Sequence, residues 1–409
     1  MSETPATYEH DNDGMQHAIT RLRATLTMPF APARASAALT TNFARWRDRS
    51  FAARKTALAK IATASRWSMQ LLDESIDALL APFSRDALVT FSSMLAPLPR
   101  LGGFIMPANV PGAGMHELVA ALLSRSAAIV KTSAREPVFF HAFAQTLREI
   151  DAEIGARIEV ITFGREHEDL TQLMMRECDF IIALGDDSSV ARLGGGARLF
   201  GFGSRTSGAL ISLTAPANVA RLATALARDV LLFEQQGCLS PHHIFIADAD
   251  DTSAREFTAA FAAALNTTAA ILPPAALSFQ TASAIRRIRE RARWRCIGGH
   301  PVELLEGDDM AWTVVFDADA RFTLSPGYRT VVVSSVREFD DFAARLAPVA
   351  GRLEAFALAA SGPSRARFLD VLAGAGVTYL CDPGKMQSPP VGWPHGGGDF
   401  LDYLARRDG

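Results

Sequence analysis

Residues 102–131 read GGFIMPANVPGAGMHELVAALLSRSAAIVK. A short β-type run ends at Pro107, a helix-length apolar segment follows over 114–126, and a second β-type run closes the unit at Lys131. Strands joined by a crossover helix lie parallel, since antiparallel neighbours need only a tight turn. The alternation continues with a helix over 137–151, RIEVITF, a helix over 166–177, FIIAL, a helix over 187–193 and GALISL. Five strands with helix-length crossovers predict an α/β protein with a parallel sheet, which takes its ligands beyond the strands' C-terminal ends.

Working outward, residues 35–92 carry helical apolar spacing and predict an all-helical leading region. The first seventeen residues are polar and aperiodic, so 1–34 is expected as a flexible N-terminal segment. After a helix at 216–235, strands are predicted at HIFIAD, WTVVFD, RTVVVSS, EAFALAA and VTYL, a second α/β layer with its own core. The expected domains are therefore 35–215, with a boundary near Ala215-Pro-Ala-Asn218, and 216–384. The Pro- and Gly-rich tail DPGKMQSPPVGWPHGGG leads into a terminal segment, 385–409.

At 409 residues and a formal charge of −3, the chain has no electrostatic footprint for nucleic acid or an anionic membrane. It shows neither a leader nor an apolar stretch near the ~20 residues of a membrane helix, so a soluble protein is expected. Its four cysteines, Cys178, Cys238, Cys296 and Cys381, lack CxxC spacing. That argues against a zinc site or a disulfide framework and for the reducing cytoplasm. Lysine occurs only at 55, 60, 131 and 385 in an arginine-rich chain, so a lysine at a strand end raises the question of a specific need.

Cys238 sits in FEQQGCLSP, residues 233–241, at a helix-to-strand junction with Gly237 before it and Ser240-Pro241 after it. A nucleophilic thiol needs partial access and backbone amides aimed at a developing oxyanion, which a Gly-flanked turn provides; the alternative is a small buried hydrophobe. Asn109, bracketed by Pro107 and Pro111, is either a rigid amide donor or a turn residue. Lys131 ends a strand where a ribose hydroxyl or phosphate would sit, or else snorkels at the surface. His242 and His243 are adjacent in a strand and point to opposite faces, so they do not form a metal pair, and no metal is expected. In Gly185-Asp186-Asp187, Asp187 is read as the N-cap of the helix over 188–193.

Together these pieces resemble the aldehyde dehydrogenase superfamily, and within it the acyl-CoA reductase family of the bacterial luminescence type. The resemblance rests on MPANVP, AAIVK, EQQGCLSP and PGKMQSPPVGWPHGG arriving in one order over roughly residues 95–400. It implies a Rossmann-like cofactor domain, a catalytic domain bearing the cysteine and a small bridging or oligomerising element. It also implies Cys238 as the acyl-accepting nucleophile, Gln236 as part of its signature, Asn109 as the oxyanion donor, and Lys131 on the adenosine ribose.

Where NAD-preferring relatives carry an acid three residues after that lysine, this chain has Ala134 between Ser133 and Arg135, which predicts NADPH. Gly185 stands where the superfamily approaches the pyrophosphate, although Asp186 and Asp187 replace the usual serine. His395, in the tail, is expected to line the substrate mouth and to assist by protonation.

The segment matching the hydrolytic glutamate's place, ARLFGFGSRTSGALISL, holds no Asp or Glu. An acyl-enzyme without a general base hydrolyses slowly, so reduction of an acyl thioester to an aldehyde is the expected reaction. The donor is acyl-CoA or a carrier-protein thioester, with a homo-oligomer and an acyl-transferring partner protein as implied associations. The alternatives are aldehyde oxidation on the same fold and a non-redox acyl-carrying subunit.

Overall fold

A computed structural model describes residues 11–194, 198–213 and 218–405. Within these the chain forms two compact units. One takes the residues up to Ser65, Ile76–Ser204 and those from Pro390; the other takes Arg66–Ser75 and Arg205–Pro389.

Five helices open the chain: α1 (Asn12–Leu26), α2 (Pro32–Arg47), α3 (Ala52–Ser65), α4 (Met69–Leu80) and α5 (Arg85–Met94). Helix α1 corrects the expectation of a frayed start. Asp11 caps it by accepting from the Gly14 amide at 2.8 Å, and Met15, Ala18, Ile19 and Leu22 form a buried stripe at helical spacing. That stripe joins the core with Leu101, Ile129 and Ile161. The polar residues ahead of Met15 hide the periodicity in the sequence.

The first unit continues as β1 (Leu101–Ile105), α6 (Met115–Leu123), β2 (Ala127–Thr132), α7 (Val138–Ile150), α8 (Ala152–Gly155) and β3 (Ile158–Thr162). It goes on through α9 (Glu168–Glu177), β4 (Phe180–Leu184), α10 (Asp187–Ala191) and β5 (Leu199–Phe202). All five strands are parallel, in the order β3-β2-β1-β4-β5. Chain order reverses between β1 and β4, and ligands of such sheets bind beyond that point. The central strands are buried along nearly their whole length, so they read as continuous apolar runs rather than alternating ones.

The second unit runs β6 (Thr206–Ser212), α11 (Val219–Leu231), a 3-10 turn (Leu232–Gln235), β7 (Pro241–Ala247), α12 (Asp251–Ile271), α13 (Phe279–Ile297), β8 (Val302–Glu306) and β9 (Thr313–Asp317). It finishes with β10 (Thr330–Val336), α14 (Phe339–Leu346), β11 (Leu353–Ala359), α15 (Gly362–Gly374) and β12 (Tyr379–Cys381), before α16 (Asp399–Ala405) returns to the first unit. The strand order is β12-β11-β6-β7-β10-β9-β8, parallel except for β8 against β9. Leu210, Phe245, Phe342, Phe356 and Phe368 centre its core.

The run GALISL therefore belongs to the second sheet, between β11 and β7. The fifth strand of the first sheet is the glycine-interrupted LFGF of β5, whose composition hides it. The expected boundary near 215 falls outside the described residues, but Asn218 does cap α11, accepting from the Arg221 amide at 3.0 Å.

Candidate functional site

In the second unit, Cys238 follows an unusual backbone. Phe233, Glu234 and Gln235 all take left-handed φ values, 55°, 53° and 58°. Each costs a non-glycine residue roughly 1–2 kcal/mol, so the surroundings must hold the turn in place. Glu234 is locked by Arg329, whose Nη2 and Nε donate to its two oxygens at 2.7 and 3.1 Å, and it also accepts from the Ala275 amide at 3.1 Å. Gln235 forms a closed amide set: its Nε2 donates to the Pro241 and Thr330 carbonyls at 2.8 and 2.9 Å, and its Oε1 accepts from the Thr330 amide at 2.7 Å. Gly327, at φ +76°, passes so close that a Cβ there would lie 3.1 Å from the Gln235 carbonyl. Ser207 on β6 donates to the Cys238 carbonyl at 2.6 Å. The Cys238 side of this turn is half-buried, as are Gln236 and Gly237.

The tail motif clamps the same turn from the other direction. Gln387 is buried, and its Nε2 donates to the Asp229 carbonyl at 3.0 Å and to Ser240 Oγ at 3.1 Å, two residues past the thiol. The Asp229 carboxylate accepts from the Gly384 and Met386 amides at 2.6 and 3.1 Å. Glu234, Gln235, Asp229 and Gln387 all escape sequence reasoning. Only the doubled Gln235-Gln236 signals that an amide is needed, and the resemblance places the weight on Gln236.

Burial outweighs these amides and pushes the Asp229 carboxyl from 3.8 up to about 7. Between those two values the folded protein binds a proton that the unfolded chain has released. The stability this proton contributes is complete below about pH 4 and is lost as pH rises through about 7. Asp229→Asn is expected to flatten that descent in urea unfolding between about pH 4 and about pH 8. Parallel pH profiles for the two proteins would discard Asp229 as its source.

His243 is buried and structural. Its Nδ1 accepts from the Thr323 amide at 3.1 Å, so Nε2 carries the proton toward Ser334 Oγ at 2.8 Å, and burial lowers its pKa to about 3. His242 faces Ser325 Oγ at 2.8 Å instead. Among the described residues no group of three or more His, Cys, Asp or Glu is placed to hold a metal.

In the first unit, Lys131 stands at the C-terminal end of β2, half-buried, with its Nζ 5.1 Å from the Phe163 ring centre. Burial, and after it the nearby Arg165 guanidinium, lower its pKa. Arg165 is a cation that the sequence reading missed, because it lies in the loop after β3. Ser133 Oγ accepts from the Arg135 amide at 3.3 Å, and Arg135 is exposed. Two acids lie nearby: Glu166, whose attraction opposes the lowering of the Lys131 pKa, and Glu136, which is buried and accepts from the Val138 and Phe139 amides at 2.9 Å each, at the start of α7. Asn109 is exposed in the turn after β1, a turn that begins where the Met106 amide donates to the Lys131 carbonyl at 2.9 Å.

Gly185 follows β4, its amide donating to Phe202 at 3.1 Å. The cap that follows is Asp186, which accepts from the Ser189 amide and Ser188 Oγ at 2.7 and 2.6 Å; these bonds, Ser188 foremost, bring its pKa down to about 2. This corrects the assignment of the cap to Asp187, whose carboxylate instead accepts from the Ser204 amide at 2.7 Å and ties down the residues after β5. The helix starts at Asp187 itself, one residue before the start that the cap assignment assumed, so the cap moves to Asp186.

His395 is stacked between Phe202 and Trp393, ring centres 4.4 Å away on each side, and its Nδ1 lies 2.7 Å from Glu117 Oε1. Burial works to raise the Glu117 pKa, but attraction and hydrogen bonding to His395 prevail and hold it below the usual value. Neighbouring His116 lines a recess together with Glu117, Phe202, Trp393 and His395; neither of its ring nitrogens is hydrogen-bonded, and burial lowers its pKa to about 4. Among the described residues no helix is long and apolar enough to cross a membrane.

A family model described as acyl-CoA reductase (LuxC) matches residues 99–407. A long-chain acyl-protein thioester reductase from Aliivibrio fischeri is 24% identical over 311 residues, 74% of this chain and 62% of that protein. Long-chain acyl-protein thioester reductase 2 from Photobacterium leiognathi is 23% identical over 301 residues, 72% of this chain and 60% of that protein. The match thus spans about three fifths of these relatives' length.

Among solved structures, aldehyde dehydrogenase 21 from Physcomitrella patens aligns with a TM-score of 0.73 at 14% identity, over 97% of this chain and 89% of that one. An oxidoreductase from Marinobacter aquaeolei aligns at 0.72 and 15%, over 93% and 84%. The α/β architecture expected from the sequence is therefore that of the aldehyde dehydrogenases.

Proposed function

Since the chain belongs to the acyl-CoA reductase (LuxC) family, we propose that it reduces a long-chain acyl thioester to an aldehyde through an acyl group carried on Cys238. The observation that carries this reading is the strained turn before Cys238, held from both sides by buried polar groups. Strain of this kind collects where a side chain must be presented in one geometry. The Cys238 thiolate forms a bond to the thioester carbonyl carbon, the bond to the donor's sulfur breaks, and the donor leaves as its thiol after taking up the proton Cys238 gave up. The Cys238 amide and Asn109 are assigned as donors to the oxyanion, Gln236 as part of the nucleophile's signature, and His395, oriented by Glu117, as the group whose protonation assists aldehyde formation, in which the bond from the reduced acyl carbon to the Cys238 sulfur breaks and that sulfur recovers its proton.

Residues 198–213 contain no carboxylate, and Glu234 is committed to Arg329, so no free base on these segments activates water against the acyl group. That favours reduction over oxidation to an acid.

The nicotinamide cofactor is assigned to the C-terminal ends of β1, β2 and β4. Lys131, Ser133, Arg135 and Gly185 would hold it, and Arg165 adds a positive charge beside Lys131. This hydroxylic and cationic set fits a ribose bearing a 2′-phosphate, with the Glu136 carboxylate taken up by the first amides of α7. When bound, the cofactor supplies the hydride that reduces the acyl carbon. Arg135→Ala is expected to lower kcat/KM for NADPH about tenfold and leave that for NADH unchanged. Equal losses with the two nucleotides would remove the basis for the preference.

The ionised Asp186 beside the pyrophosphate position favours a second reading, an acyl-carrying subunit without hydride transfer. Intact-mass analysis with acyl-CoA and no nucleotide, followed by NADPH addition, separates the two. An adduct that forms and then disappears with release of aldehyde supports the reductase, whereas an adduct indifferent to NADPH supports the carrier.

A further inference from the structure

Helix α13 runs about 28 Å along the β8–β9 side of the second unit. Its inner face, Ile285, Arg289 and Ala292, is buried. Its outer face is not that of an ordinary solvated helix: Phe279, Trp294 and Ile297 are 87%, 70% and 76% exposed. Between the aromatic ends lie Arg286, Arg287 and Arg291, all exposed and without an ion pair among the described residues. In a chain of net charge −3, this is a concentrated basic and aromatic stripe. Exposed Trp and Arg are also the residues that most often dominate binding energy at protein interfaces.

The stripe is linked to the proposed nucleophile. The loop preceding α13 is bound to the turn before Cys238, through the Ala275 amide on Glu234 and through Arg329, which donates to the Leu272 carbonyl at 2.9 Å.

We propose that the outer face of α13 is the docking surface for an acidic, acyl-bearing protein that delivers its thioester to Cys238. This rests on the reductase reading above, and it adds where the donor binds and what charge it carries. A membrane surface fits the face less well. Helices that lie in a bilayer gather their apolar side chains on one continuous face, whereas Phe279 and Trp294 stand about 22 Å apart with arginines between them. Alternating anchors and cations match a partner that offers carboxylates around a few apolar pockets.

The test uses the full chain carrying Cys238→Ala, so that the acyl group stays on its donor, and an acidic acyl carrier protein loaded with a long acyl chain. Calorimetric titration is expected to show binding that weakens steeply with salt. It is expected to fall at least tenfold in R286E/R287E/R291E and severalfold in Trp294→Ala, with binding of the same acyl group on CoA unchanged. Three outcomes overturn the proposal: equal carrier binding by parent and charge-reversed proteins, a change of assembly mass in the charge-reversed protein that marks the face as a contact between copies, or binding only to vesicles of anionic phospholipid. Loss of aldehyde formation from both thioesters in the otherwise unaltered protein would count against the reductase reading instead, and the calorimetry does not depend on it.

Discussion

Cys238→Ala is expected to eliminate aldehyde formation from acyl thioesters, by about 10⁴-fold or more, while leaving the unfolding transition where it was. The size of the effect follows from the chemistry. Without a sulfur to accept the acyl group, hydride must reach a thioester still attached to its donor, and the two-step path closes. No other cysteine is placed to substitute. Burial raises the thiol pKa of Cys178, and burial together with nearby Asp229 raises that of Cys381, so both resist ionisation. Cys296 is exposed in the last turn of α13. Stability is spared because Cys238 is only half-buried and its main-chain bond to Ser207 survives the change. Aldehyde production within tenfold of the parent rate, or an acyl adduct that persists in the variant, would falsify the assignment.

Arg329→Met is expected to cost about 3–5 kcal/mol of folding stability, measured by urea unfolding. Arg329 and Glu234 are both almost wholly buried, and they share a two-point contact that also satisfies the Leu272 carbonyl. Removing the guanidinium strands a carboxylate with a single amide partner, from Ala275. The stranded group escapes by taking up a proton. Burial already raises the Glu234 pKa, with Arg329 holding it down, so the variant should lose more stability near pH 8 than near pH 5. Glu234→Gln in the same protein should recover part of the loss, since a neutral amide needs no counter-ion. A cost below about 1 kcal/mol, independent of pH, would mean that the pair is not what holds the turn.

The parallel sheets were legible because buried strands advertise themselves as unbroken apolar runs, as in Ala127–Val130 and Ile244–Ala247. Elements that carry few apolar residues were not. β8 pairs antiparallel at an edge, and its residues VELLE are only partly buried, so nothing in its composition distinguishes it from a loop. The thiol, Asn109 and Lys131 could be picked out because each sits beside glycine, proline or a strand end. The groups that restrain the thiol could not be, because they come from distant parts of the chain. Glu234 meets a residue 95 positions later, and Ser240 meets one 147 positions later. Local spacing carries no information about such pairs, which exist only once the second sheet has assembled.

That long reach has a consequence during synthesis. A growing chain exposes Cys238 well before Gln387 has been added, an interval of roughly 7–30 s at ordinary translation rates. Through that interval the turn lacks its last tether, and the left-handed backbone has less to oppose its relaxation. In a ribosome-bound chain the restraints on the turn before Cys238 are therefore complete only once Gln387 has been added.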